Sequence, residues 1–326
     1  MSALDVARET LRPRVFPATP SDPEAVTLAG QVAAAGGDAV RAVVFFGSRR
    51  SGAASRDRHS AHDLFVLVRD YREFYLGLKA AGQLRRRASL VAWLNTWLPP
   101  NQVSFRGQGQ AQGKLSIVTP ATFLRETSPL RRDHFCAGRL FQPAEVVFAA
   151  DAEARALALE GLAQAHALTL GWARPWLPER FDAAAFTRRI LEVSLSQEIR
   201  PEPSSRAGVL WEAQREHMVA VYARLLEAWA DEGELLREAG QYRLPAPVPP
   251  QERAWLSGYF RRSKARATAR WLKYVLTFDH WLEYIRRKAE RHTGQQIVLS
   301  PREERWPLVF LWPRVFRYLR DKDRRP

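Results

Sequence analysis

A single cysteine, Cys136, stands in a chain of 326 residues. One thiol makes no intrachain disulfide and offers no zinc-ligand spacing, which excludes disulfide-stapled and zinc-ribbon scaffolds and agrees with a reducing compartment. No apolar run reaches the length of a bilayer-crossing helix. The opening stretch MSALDVARETLRPRVFP lacks an apolar centre and carries two acids, so it reads neither as a secretory signal nor as a transit peptide. These absences set the expectation of a cytoplasmic protein.

Positive charge is in excess: 50 Lys and Arg against 35 Asp and Glu, a net charge of +15. From Gln251 to Pro326 alone there are 19 basic and 8 acidic residues. A partner made of phosphates follows, either nucleic acid or an anionic membrane. An apolar fraction of 46%, with 11 Trp and 16 Phe, supplies enough core for two packed units.

Periodicity divides the chain. DPEAVTLAGQVAAAGGDAV reads as a helix with Pro23 near its start and Gly36-Gly37 at its end. RAVVFFG and HDLFVLV are short continuous apolar runs of strand length. Residues 71–98 are helical in pattern up to Pro99-Pro100, KLSIVT and AEVVFA read as two further strands, and a helix containing RRDHFCAGRL lies between them. The first 150 residues therefore form an α/β (α+β) unit with a small mixed sheet. From Ala152 the pattern is helical: Ala152 to Trp172, Asp182 to about Glu198, and Ala207 to about Glu238, then the Pro-rich connector GQYRLPAPVPPQ and a basic helix from Glu252 to Arg291. The expected organisation is 1–150, 151–240 and 251–326.

The chemistry is concentrated where the first strand ends in Gly47-Ser48 and the second opens with Asp63. A glycine lets backbone approach a triphosphate, a serine hydroxyl and neighbouring N–H groups hold its phosphates, and an aspartate on the adjacent strand holds Mg2+. This layout resembles the polymerase-β-like nucleotidyltransferase core. Taken alone, the same residues are also ordinary turn and cap residues. The usual pattern of that superfamily has a second acid two residues away, whereas Phe65 and Ala61 occupy those positions here.

A narrower resemblance rests on FFGS, on HDLFVLV followed by Arg69-Asp70, on GKLSIVTPATFL, on HFCAGRLFQPAEVVF and on SLSQEIR, in that order from about Ala42 to Arg200. Together they resemble the mitochondrial-type phosphatidate cytidylyltransferases, the translocator assembly and maintenance family. Arg49, Gln142, Gln197 and Glu198 depart from the residues usual in that family. The resemblance implies a nucleotidyltransferase core, a helical domain closing the cleft, and transfer of CMP from CTP to phosphatidate with Mg2+. It implies Asp63 and Glu198 as metal-holding catalytic carboxylates, with Gly47, Ser48, Lys114, Arg139 and Arg200 around the nucleotide and lipid phosphates. From the residues alone, the arginine loop between the two strands, with Arg49, Arg50, Arg56 and Arg58, reads either as a solvated loop or as one ordered beside the triphosphate, Arg49 touching it. Glu198 reads equally as a solvated helix-end acid, and Arg139 as one member of a salt bridge within its helix. His59 and His62 are expected to be loop residues, Asp70 to end its strand, and Cys136 to be core.

The C-terminal region adds a surface. Trp271, Val275, Phe278, Leu282 and Ile285 fall on one helical face, with Arg270, Lys273, Arg286 and Arg287 elsewhere around the helix. In RWPLVFLWPRVFRYLRDKDRRP, aromatic and aliphatic residues alternate with arginines. Residues 251–326 are thus expected to dock on the inner face of an anionic membrane, with nucleic acid as the less favoured partner. The alternatives left open are the same fold acting on another acceptor, such as a small phosphate alcohol, a protein or RNA, and a non-catalytic basic adaptor.

Overall fold

The computed structural model describes residues 1–52, 61–109, 111–196, 206–277, 286, 290, 297–305 and 310. It is an α+β fold in which a five-stranded mixed sheet is followed by helices. The strands are β1 (Val40–Phe46), β2 (His62–Val68), β3 (Asn101–Arg106), β4 (Gln112–Val118) and β5 (Glu145–Ala149), in the spatial order β3-β4-β2-β1-β5. β1 runs antiparallel to both β2 and β5, β2 is parallel to β4, and β3 is antiparallel to β4.

Helices cover both faces, which is why the two central strands read as unbroken apolar runs instead of alternating ones. On one face Val43, Phe45, Leu64, Val66, Leu115 and Ile117 pack with α2 (Pro23–Gly36), α3 (Tyr71–Ala80) and α4 (Ala88–Trp97). Side-chain caps fix several starts: Asp22 accepts from Glu24 N and Ala25 N at α2, and Asp70 accepts from Glu73 N at α3. Asp70 is thus a helix cap, placed where the second strand was expected to end.

On the other face Val44, Phe46, Phe65, Leu67 and Val118 join a core that runs through α1 (Ala3–Val15), α5 (Pro120–Thr127), α6 (Ala137–Leu140), α7 (Ala152–Ala167), α8 (Thr169–Ala173), α9 (Ala183–Ser196) and α10 (Arg206–Asp231). Leu256, Tyr259 and Phe260 of α11 (Pro250–Thr277) belong to the same core. The expected boundary at residue 150 therefore does not separate two cores. Cys136 is buried in this layer, as expected.

Four features were missed or misplaced in the sequence. α1 occupies a stretch that sequence reasoning left without structure, and its face of Ala3, Val6, Ala7, Leu11 and Val15 is buried. β3, NQVSFR, is an edge strand too polar to stand out. The helix expected to reach Glu238 ends at Asp231. Beyond it β6 (Leu236–Glu238) and β7 (Gln241–Arg243) form a hairpin turned by Ala239 and Gly240, both at positive φ. Finally, Arg270 and Lys273 are buried. Arg270 pairs with Asp133 and donates to Pro99 O at 3.1 Å, and Lys273 donates to Leu98 O and to Pro100 O.

Of the expected docking segment, Phe278, Leu282, Ile285, Arg287 and residues 311–326 lie outside the described residues. No described helix is long and apolar enough to cross a membrane.

Candidate functional site

The end of β1, the start of β2 and the start of β4 meet at one end of the sheet. Register sets Phe46 opposite Asp63, and Asp63 opposite Lys114. Gly47 follows at φ +85, and a Cβ there would lie 2.6 Å from Asp63 Oδ2. Only glycine allows the chain to turn in the left-handed region while resting on that carboxylate. Lys114 Nζ stands 4.0 Å from Asp63 Oδ1, and the two side chains are 26% and 31% exposed, open enough to meet a ligand. Ser48 starts a turn closed by Ser51 N donating to Gly47 O at 3.0 Å. Gly47, Ser48, Asp63 and Lys114 are thus brought together.

Arg49 and Arg50, the next loop residues, are tied to acids of the fold. Arg49 lies 2.8 Å from Glu24 and 3.5 Å from Asp22 at the start of α2. Arg50 lies 3.4 Å from the buried Glu145, which also accepts from the Ser21 hydroxyl. Burial pulls the Arg50 guanidinium below its ordinary pKa, and Glu145 opposes the shift.

His62, expected in a loop, is instead the first residue of β2 and fully buried. Its Nε2 is 3.2 Å from Asp22 Oδ2 and 3.5 Å from Glu24 Oε2. Asp22, Glu24 and His62 bring ligand-type atoms within 4.8 Å of one another. The Arg49 guanidinium already rests on both carboxylates, so this group serves as an ion-paired clasp between loop and helix. Sequence reasoning missed His62, Glu145 and the α2 acids. The capping Asp22 was visible as a residue type, but its pairing across the sheet was not.

α10 reaches the same loop. Burial lowers the His217 pKa to about 3, and the charges of His166, Arg50 and Arg14 act in the same direction. His166 is lowered to about 4 by burial, while its Nδ1, 2.8 Å from Leu162 O, opposes the shift.

Beneath the sheet, the segments HFCAGRL and SLS pack on each other. Ser194 Oγ is 3.1 Å from His134 Nε2, and it donates to Gly138 O at 3.3 Å. A Cβ on Gly138 would meet the His134 ring at 2.6 Å and Ser194 Oγ at 2.9 Å, so a larger residue would part the two segments. Arg139 lies over the Phe135 ring, 3.8 Å from its centroid, and donates to Phe135 O at 2.9 Å. Phe135 in turn meets Phe65 edge-on. Gln142 accepts from Gln214 of α10 at 3.3 Å. Asp133 is held below the usual carboxylate range: burial pushes it up, but Arg270 and Arg266 outweigh that. Glu198 and Arg200, with Arg56, Arg58 and His59 of the arginine loop, lie outside the described residues.

No family model matches the chain, and no curated protein matches it.

Proposed function

We propose that the chain is a Mg2+-dependent nucleotidyltransferase that moves CMP from CTP to phosphatidate at a membrane surface, releasing pyrophosphate. One observation carries the reading: the Gly47 backbone rests on the Asp63 carboxylate, with Lys114 beside it and the Ser48 turn above. A side chain at residue 47 would fill this cradle. A half-exposed carboxylate beside turn N–H groups fits a hard cation that keeps most of its ligands from water and phosphate. Asp63 would hold the ion, which when bound neutralises charge on the triphosphate.

The remaining roles follow from residue chemistry. The turn at Ser48 offers N–H groups and a hydroxyl to the β- and γ-phosphates. Lys114 supplies positive charge where non-bridging oxygens gather it during transfer. An ionised oxygen of the lipid phosphate attacks the α-phosphorus, the bond to the β-bridging oxygen breaks, and pyrophosphate leaves with the electron pair. That nucleophile needs no general base. The choice of CTP and phosphatidate rests on the sequence resemblance.

A second reading, a non-catalytic basic adaptor, is favoured by Arg49 and Arg50 already being paired with Asp22, Glu24 and Glu145. Labelled CTP, Mg2+ and phosphatidate vesicles, with Asp63→Ala alongside, separate the two. CDP-diacylglycerol made only by the unaltered protein supports the transferase. Mg-dependent CTP binding without product moves the proposal to another acceptor. No binding at all leaves the adaptor.

A further inference from the structure

Helix α4 buries one side and turns an apolar row outward. Ala88, Val91, Ala92 and Leu94 are buried, whereas Leu90 is 45% exposed, Trp93 62% and Trp97 66%. The spacing of three and four places these three on one face. The two indole rings stack, with centroids 6.5 Å apart and planes within 4°.

The outward orientation is fixed from within. Asn95, fully buried, donates to the Tyr75 hydroxyl at 3.0 Å and to Ile117 O at 3.2 Å, and accepts from Asn101 N at 2.8 Å. Asn101 returns bonds to the Tyr75 hydroxyl and to Val91 O. Rotating α4 to hide the tryptophans would break this buried network, so their exposure is built in. The segment after Trp97 is held as well, because Arg270 and Lys273 donate to the carbonyls of Leu98, Pro99 and Pro100.

Charge completes the surface. Arg85, Arg86 and Arg87 are exposed in the turn that leads into α4. No acid occurs anywhere between Glu73 and Glu126. Gln83 exchanges two hydrogen bonds with the Arg106 backbone, and Arg106 pairs with Gln112 at the start of β4. The arginine run therefore sits at the end of the sheet where Asp63 faces Lys114.

We propose that the outer face of α4 together with Arg85, Arg86 and Arg87 is the surface by which this protein docks on an anionic phospholipid bilayer. Tryptophans prefer the depth between headgroup and acyl chain, and arginines reach phosphate at that level. Two copies joined through this face would set like charges against each other. Leu90 has no use toward a nucleobase, and the two indoles are stacked on one another. The surface is made of other residues than the C-terminal ones to which sequence reasoning assigned docking, and it stands independently of the reaction proposed above.

The test is flotation of the full chain, without nucleotide, on phosphatidylcholine vesicles with and without phosphatidylglycerol. Phosphatidylglycerol is anionic but is not the proposed substrate, so failure here and failure of the transferase reading remain distinguishable. The unaltered protein should float only with the anionic lipid. Arg85→Gln/Arg86→Gln/Arg87→Gln should weaken binding on the order of a hundred-fold, about five-fold per charge. Trp93→Ser/Trp97→Ser should weaken it on the order of ten-fold or more. Both variants alter exposed side chains, and circular dichroism and thermal unfolding should match the parent. Three outcomes overturn the proposal: undiminished vesicle binding by both variants, which assigns docking to the C-terminal residues; no anionic binding by the parent alongside arginine-dependent RNA binding; or a dimer that Trp93→Ser/Trp97→Ser dissolves.

Discussion

Replacing Gly47 by alanine tests the heart of the site, because two separate effects are expected and one of them passes through Asp63. An alanine held at φ +85 costs roughly 1–2 kcal/mol for the left-handed backbone alone. The added Cβ would stand 2.6 Å from Asp63 Oδ2, where ordinary contact begins at 3.4 Å. The carboxylate must then move by most of an ångström, and overpacking of this kind adds about 1–3 kcal/mol. In an Asp63→Ala background the oxygen is gone and the backbone term remains. Urea unfolding of the parent, Gly47→Ala, Asp63→Ala and the double variant gives a cycle whose coupling should reach about 1 kcal/mol or more, with the double variant more stable than the sum of the singles. Additivity within about 0.3–0.5 kcal/mol would show that the Gly47 backbone does not rest on Asp63, and the reasoning fails. Mg–CTP binding should also be lost in Gly47→Ala at temperatures where it is fully folded.

Lys114→Met should leave stability nearly unchanged, the side chain being partly exposed, while weakening CTP binding measured by calorimetry by about ten-fold or more. Asp133→Ala strands the buried Arg270 and should cost about 3–5 kcal/mol in denaturant unfolding. Gly161→Ala drives a methyl into the Phe123 ring and should cost about 1–3 kcal/mol by the same measurement. Acid should destabilise the fold through His166 and His217, whose folded pKa values of about 4 and about 3 lie below the unfolded value of about 6.5. Below that value the unfolded chain takes up protons the fold refuses, so stability falls from pH 6.5 toward pH 4, by about 3 kcal/mol for His166. His166→Gln should flatten that fall in a pH series of unfolding curves.

The central strands were legible because helices cover both of their faces, leaving VVFF and LFVLV uniformly apolar. β3 was not, since NQVSFR pairs on one side only and carries polar residues. α1 escaped because its apolar positions are separated by charge and interrupted by Pro13. At the site, Gly47, Ser48 and Asp63 could be read because each lies at or just beyond the edge of an apolar run. Asp63 facing Lys114 follows from parallel pairing of β2 with β4, and the tie of Arg49 to Asp22 and Glu24 from α2 lying beside the loop. Residues far apart in the chain make both contacts, and no local pattern announces them. The burial of Arg270 was hidden for a related reason: its charge implied solvent, while its partner Asp133 lies far back in the chain, in the loop between α5 and α6.

The core that passes under the sheet without a break at residue 150 has a consequence for synthesis. The core that Val44, Phe46, Phe65 and Leu67 share with the helices also takes in Leu256, Tyr259 and Phe260 of α11. Those residues emerge from a ribosome roughly 5–20 s after β5 at ordinary elongation rates. Through that interval the core lacks the apolar side chains of α11, so the protein's exposure to chaperones and to aggregation lasts well beyond the making of its first strands.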